Sequence, residues 1–195
     1  VSGLLLAAPL RLEAMLISSA ARGALVRKTG MGPARARAAA AELATHAATR
    51  MLVLGFCGGL DAESVPGEVI VARDIYAAAD EGHEEQRVSC DMTHELLVRL
   101  AGRGMKVRVG DVVCVSQLAL GERRAALHAG GAIAVDMESV WLALAAGTRP
   151  FGVVRVVLDS PSHELMRPQA IGGALRAARA LRRVAGALHD LPPGD

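Results

Sequence analysis

Ala132-Ile133-Ala134-Val135-Asp136-Met137-Glu138-Ser139 decides the fold. Four apolar residues run straight into two carboxylates flanking a methionine, and an Ala-rich segment follows. This is the pattern of a buried strand that delivers polar groups at its carboxyl end and then passes the chain to a helix. Open α/β sheets hold their ligands at such strand ends. Asp136 suits an N-cap, and Glu138 a first-turn acid stabilised by the helix dipole. Glu138 also has a second use, because a carboxylate aimed into a crevice can accept hydrogen bonds from paired sugar hydroxyls.

The same grammar extends in both directions. Short aliphatic runs at Leu4–Ala7, Ala24–Lys28, Met51–Gly55, Glu68–Ala72, Val107–Ser116, Ala132–Val135 and Phe151–Leu158 predict strands. Between them Leu10–Ala21, Pro33–Thr49, Thr93–Arg103, Glu122–Ala129, Met137–Gly147 and Pro168–His189 predict helices. Alternation of this kind implies an α/β protein, a three-layer αβα sandwich with a mixed central sheet. Phe151-Gly152-Val153-Val154 is apolar without a break, as a strand buried on both faces should be. Pro33 stands where a helix opens and Gly147 where one should stop. No repeat, linker or change of composition divides the 195 residues, so a single domain over 1–195 is expected.

Composition narrows the function. Hydrophobic residues make up 52% of the chain but aromatics only 2%, so Ala, Val, Leu and Ile must fill the core. A net charge of +2, with no basic run and no aromatic–basic interleaving, points away from nucleic acid. Cys57, Cys90 and Cys114 have neither metal nor iron–sulfur spacing; buried, reduced thiols in a cytoplasmic protein are expected, without metal or cofactor. Leu4-Leu5-Leu6 lacks a preceding basic segment and is soon interrupted by Pro9, Arg11 and Glu13, so a first strand is expected rather than a signal segment.

Four further segments could carry chemistry. Leu54-Gly55-Phe56-Cys57-Gly58-Gly59-Leu60 follows a strand, and its glycines would let a ligand approach the backbone. It matches neither a dinucleotide fingerprint nor a P-loop. In Thr29-Gly30-Met31-Gly32-Pro33, the amides opening a helix could hold an anion or water, or the segment could be a plain connection. In Val153–Pro161, Arg155 sits within a β-branched run where its charge requires a partner, and Asp159 ends the strand. Asp159 reads equally as an Asx-turn acceptor or as part of an active site. Glu13, one turn into the first helix, reads locally as an exposed first-turn acid.

In combination and in this order, these motifs resemble the nucleoside phosphorylase/nucleosidase superfamily, and within it the methylthioadenosine/adenosylhomocysteine nucleosidases. Ala134–Ser139 is similar to the family's Met-Glu signature and Val154–Asp159 to its Arg-x-x-x-Asp strand end. Gly30-Met31-Gly32 and Gly58-Gly59-Leu60 are similar to its two glycine turns. The resemblance implies an N-glycosidase in which Asp159 is the general acid at the purine N7. It also implies that Glu13 orients the attacking water while Met137 and Glu138 grip the ribose. Arg155 would place the water or a phosphate, Gly58 and Gly59 would pass close to the sugar, and Gly30 and Gly32 would complete the substrate site. The chemistry agrees: a carboxylate stabilises an oxocarbenium-like sugar as charge develops, and a proton donor spares the base from leaving as an anion.

Phe56-Cys57, Leu118 and Leu120 depart from the common pattern toward apolar residues, and the segment Tyr76–Cys90 is brief. These departures resemble the hopanoid-associated branch, which implies hydrolytic release of adenine from adenosylhopane. Alternatives are a phosphate-dependent phosphorylase, a nucleosidase for methylthioadenosine/adenosylhomocysteine or futalosine, and an idle nucleoside-binding scaffold. The family also implies a homodimer or larger. Arg176, Arg179 and Arg183 share one helical face with Arg182 beside them, which reads as a solvated face or as a peripheral membrane contact.

Overall fold

Successive side chains of a strand point to opposite faces, and the first strand shows what this does for the core. Leu4, Leu6 and Ala8 belong to one buried cluster, and Leu5 and Ala7 to another. The computed structural model describes residues 3–78, 86–162 and 170–191. In chain order these form β1 (Leu4–Ala8), α1 (Arg11–Ala20), β2 (Leu25–Lys28), α2 (Pro33–Leu43) and β3 (Arg50–Gly59). Next come β4 (Val69–Ala77), β5 (Arg87–Ser89), α3 (Thr93–Gly102), β6 (Val107–Cys114) and α4 (Gly121–Ala129). Last are β7 (Ala132–Asp136), α5 (Ser139–Leu142) with a 3-10 turn Ala143–Ala145, β8 (Phe151–Asp159) and α6 (Ala170–Leu188).

The strands form one mixed sheet in the order β2-β1-β3-β7-β6-β4-β5. β8 pairs parallel with β3 and antiparallel with β4, so β3, β7, β6, β4 and β8 close on themselves. Helices cover both faces. Side chains of α1, α3 and α6 share one cluster, including Ile17, Leu96, Leu181 and Val184. Those of α2 and α5 share the other, including Ala36, Leu43, Val140 and Trp141. This is the expected mixed α/β layering. Small Ala side chains on α2 let that helix pack against α5 and the 3-10 turn that follows it.

Several boundaries differ from expectation. β3 and β4 run on to Gly59 and Ala77, past Gly55 and past Arg73 and Asp74, beyond the ends that the aliphatic runs predict. β3 changes partner there, with Gly58 and Gly59 pairing antiparallel with Val135 and Ala134 of β7. The helix expected over Pro33–Thr49 stops at Leu43, and the one expected over Met137–Gly147 opens only at Ser139 and tightens to 3-10 after one turn. The edge strand β5 has no counterpart among the predicted strands; it pairs three residues with β4. Residues 79–85 of the brief Tyr76–Cys90 segment and the helix start expected at Pro168 lie outside the described residues.

Candidate active site

The late start of α5 creates the centre of the site. Met137 and Glu138 form a bend between β7 and α5 instead of a first helical turn. Asp136, at the end of β7, ties this bend down: its Oδ1 accepts from the Glu138 amide at 3.2 Å and the Ser139 amide at 3.3 Å. Cys114 Sγ donates to the same oxygen at 2.8 Å, and the Ser139 hydroxyl donates to Oδ2. Asp136 thus performs the capping task expected of it, from two residues before the helix's own N-cap, Glu138.

Arg155 projects from β8 beneath this bend and is wholly buried. Its Nη2 lies 2.5 Å from Asp136 Oδ2 and 3.7 Å from Glu138 Oε2, and it donates to Ser139 Oγ at 2.8 Å. Burial opposes its charge, but Asp136, Glu138 and Glu13 outweigh burial and keep it protonated. Burial also pulls the Asp136 carboxyl up, yet Arg155 and the Cys114 and Ser139 hydrogen bonds bring it below the ordinary carboxylate range.

Glu138 reaches the other way. Its Oε1 accepts from the Gly32 amide at 2.9 Å, across 106 residues of sequence. Gly32 has φ +89°, a backbone that L side chains rarely adopt, so the amide can turn toward the carboxylate. Burial pushes the Glu138 carboxyl up to about 7 against the pull of Arg155, with Asp136 adding to the rise. Gly30 has a positive φ too, but its amide donates to Pro9 O.

Glu13 corrects the expectation of an exposed acid: it is 2% exposed. Its Oε2 accepts from the Leu10 amide at 2.6 Å, completing the opening of α1, and its Oε1 accepts from the Phe56 amide at 2.6 Å. Burial raises its carboxyl above the ordinary range despite Arg155 and these two amides. Glu13, Phe56, Gly58, Met137, Glu138 and Asp159 line one cavity of about 150 Å³, together with the partly exposed Leu10, Met31 and Leu118. Arg155, Gly59, Gly30 and Gly32 lie behind its wall or beside it rather than on it. Cys57 also lines it, and burial holds its thiol far above the usual range.

Asp159 ends β8 on the far side of the cavity, and Arg124 Nη2 donates to its Oδ2 at 2.6 Å. Arg124 is buried, and its Nε donates to Ala119 O at 2.9 Å. Arg124, Asp159, Met137 and Leu118 enclose a side pocket of about 50 Å³. Gly58 leaves room here: a Cβ on it would lie 2.9 Å from Arg124 Nη2 and 3.1 Å from Val135 Cγ1, so the guanidinium would have to shift. No motif singles out Arg124. The only hint is its place on α4 three residues before the inward-facing Leu127, where a cation requires a partner.

The arrangement is a small cavity walled by three buried carboxylates, with a buried cation behind one wall and an ion pair at the end. It can hold a polar ring by its hydroxyls, stabilise positive charge and exchange protons. A larger cleft of about 510 Å³, between α6 and the chain around Pro66 and Lys106, contains none of these residues.

The family model described as Phosphorylase superfamily matches residues 14–191. The chain belongs to that superfamily. Compared by sequence with curated proteins, it matches none of them. Several solved structures share its fold. The futalosine hydrolase of Helicobacter pylori strain 26695 aligns with a TM-score of 0.81 at 13% identity, over 96% of this chain and 97% of that one. The Campylobacter jejuni 5'-methylthioadenosine/S-adenosylhomocysteine nucleosidase gives 0.80 at 14%, over 96% and 99%. The S-adenosylhomocysteine nucleosidase of Streptococcus pyogenes gives 0.76 at 19%, over 97% of each. At these identities the likeness is one of fold.

Proposed function

We propose that this chain cleaves the N-glycosidic bond of a purine nucleoside with water as the nucleophile. The observation that carries the choice of water is that both candidate phosphate donors are already taken. The Gly32 amide is bound by the Glu138 carboxylate, and Arg155 is buried against Asp136. A phosphate entering the cavity would face Glu13, Glu138 and Asp159, and like charges at short range repel. A water would instead meet strong acceptors.

In this mechanism Glu138 accepts from the ribose hydroxyls and Met137 packs against the sugar, with Gly58 and Gly59 beside it. Glu13, held rigidly by the Leu10 and Phe56 amides, orients the water and takes its proton. Arg155 positions Glu138 and Asp136 from behind, and Gly30 and Gly32 fix the loop that braces Glu138. Asp159 stands at the base end, paired with Arg124 before the nucleoside binds, and protonates N7 once it has itself taken up a proton. The carboxylates stabilise the oxocarbenium-like sugar as its charge develops.

The substrate that suits this cavity best is adenosylhopane, with release of adenine in hopanoid biosynthesis. Leu10, Met31, Leu118 and Leu120 expose 36 to 65% of their surface on segments that wall or adjoin the cavity, and they offer apolar contact to a large 5' substituent. The same reading makes the protein cytoplasmic, a single domain working as a homodimer or larger, and in peripheral contact with a membrane. A second reading concerns the base. Arg124 offers only donors, and it lies where the purine edge would come, which favours a carbonyl-bearing base over the amino group of adenine.

The test is base release from adenosine, inosine, methylthioadenosine and adenosylhopane, with and without phosphate, followed by chromatography. Free base and free ribosyl product without phosphate are expected. Release that requires phosphate and yields a sugar 1-phosphate would overturn the hydrolytic proposal, and preference for inosine would select the second reading of the base.

A further inference from the structure

Helix α6 spans Ala170–Leu188 and contains four arginines and no acidic residue. Its inner positions Ala177, Leu181, Val184, Ala185 and Leu188 are buried in the core. Its outer side presents two adjoining stripes. Arg176, Arg179 and Arg183, at helical spacing, line the 510 Å³ cleft opposite Lys106. Ile171, Leu175, Arg179 and Arg182 form the second, in which Ile171 is 74% and Leu175 52% exposed. None of these arginines forms an ion pair with a described residue. Of the two acids in the cleft, Glu68 lies 3.5 Å from Arg108, which is itself held by Asp61. The cleft therefore keeps an excess of positive charge, although the whole chain carries only +2.

We propose that this face seats the protein on an anionic phospholipid surface. Lys106, Arg176, Arg179 and Arg183 take the phosphodiester headgroups, while Ile171 and Leu175 enter the upper acyl region. An acid-free helix with guanidinia beside exposed aliphatic side chains is the arrangement that binds flat in an interface. Nucleic acid fits it less well, because no aromatic side chain on α6 offers a stacking surface. The location also has a use. Gly67 donates to Val157 O and packs on Arg176, which puts the start of α6 level with the end of β8, two residues before Asp159. This inference rests on the membrane contact proposed above and on none of the catalytic chemistry.

The test is flotation of the purified protein with vesicles of phosphatidylcholine alone, and of phosphatidylcholine mixed with phosphatidylglycerol. Binding to the mixed vesicles only, weakening as salt rises, is expected. At about fivefold per cation, the R176Q/R179Q/R183Q variant should lose roughly hundredfold in partitioning. An R22Q/R27Q/K28Q control with the same charge loss elsewhere should stay near wild type, and I171S/L175S should also bind more weakly. Base release from a soluble nucleoside should be unchanged in the α6 variants, which separates failure of docking from failure of the N-glycosidase reading. Equal binding to neutral vesicles, no binding to either, or equal loss in the control would overturn the proposal. So would displacement by inorganic phosphate at low millimolar concentration, since the cleft would then be a site for a free anion.

Discussion

At the scale of single residues, the governing fact is a charge imbalance. Arg155 is one buried cation among Asp136, Glu138 and Glu13. Asp136 takes most of its charge, which leaves Glu13 and Glu138 to gain from a proton. Both carboxyls lie above their ordinary range, Glu138 at about 7. A raised carboxyl favours the folded state fully below about 4.5, and that contribution is lost as pH rises through the folded value. Stability should therefore fall between about pH 4.5 and 7, by up to about 1.4 kcal/mol per pH unit for Glu138. Glu138→Gln keeps the acceptor for Gly32 and should flatten most of this slope in denaturant titrations run across that range. An unchanged slope would place the proton elsewhere. Asp159→Asn should cut kcat by about 10²–10⁴-fold, and because it leaves the buried Arg124 without its anion it should also destabilise the fold by about 3–5 kcal/mol. Undiminished base release would remove Asp159 from the role of acid.

At the scale of elements, β3 couples the site to the sheet. Its first half is an ordinary buried strand, and its second half changes partner to β7 and carries the cavity floor. Gly55 stands at the junction, where a Cβ would meet Glu13 Oε1 at 2.6 Å and Arg155 Nη1 at 2.7 Å. Gly55→Ala should cost about 1–3 kcal/mol in denaturant unfolding and disturb both charged groups. Gly186→Ala is the converse. It lies within α6 with only ordinary contact to Ala20, so it should stabilise by about 0.5–1 kcal/mol. The buried strands were legible because aliphatic runs mark them whatever they pair with, whereas the exposed edge strand β5, Arg87-Val88-Ser89, has no such run. The extension of β3 through Gly58-Gly59 was not, since glycines that usually mark a turn here allow Arg124 and Ser64 to approach. The shortening of α5 was hidden for a related reason. Asp136 looks like a cap for the next residue, and only its contacts with Arg155 and Cys114 reveal that it holds a bend open.

At the scale of the whole molecule, ion pairs between distant segments do what local pattern cannot foretell. Glu13 on α1, Gly32 before α2, Arg124 on α4 and Arg155 on β8 all converge on one cavity. A sequence identifies Glu13 as a first-turn acid because nothing within a turn of it announces Phe56 or Arg155. Arg155 itself was legible in kind, since a cation in a β-branched run demands an anion, but not in partner: Asp136 supplies most of the answer. The layered α/β architecture followed from alternation alone. The closed ring of β3, β7, β6, β4 and β8 did not, because strand order is fixed by packing between segments far apart in the chain.

The three cysteines give the molecule an internal clock. Cys57 stands in the cavity wall, Cys90 between β5 and α3 and Cys114 under the Asp136 bend; all three are free and buried. Burial raises every one of these thiols, Cys90 to about 12, and so slows their reaction with an alkylating reagent while the fold is closed. Labelling of Cys90 and Cys114 then follows the opening of their surroundings, and that of Cys57 also follows access to the cavity it lines. Mass spectrometry of a timed alkylation would read three separate opening rates from one unmodified chain, and a nucleoside seated in the cavity should slow Cys57 and Cys114 more than Cys90.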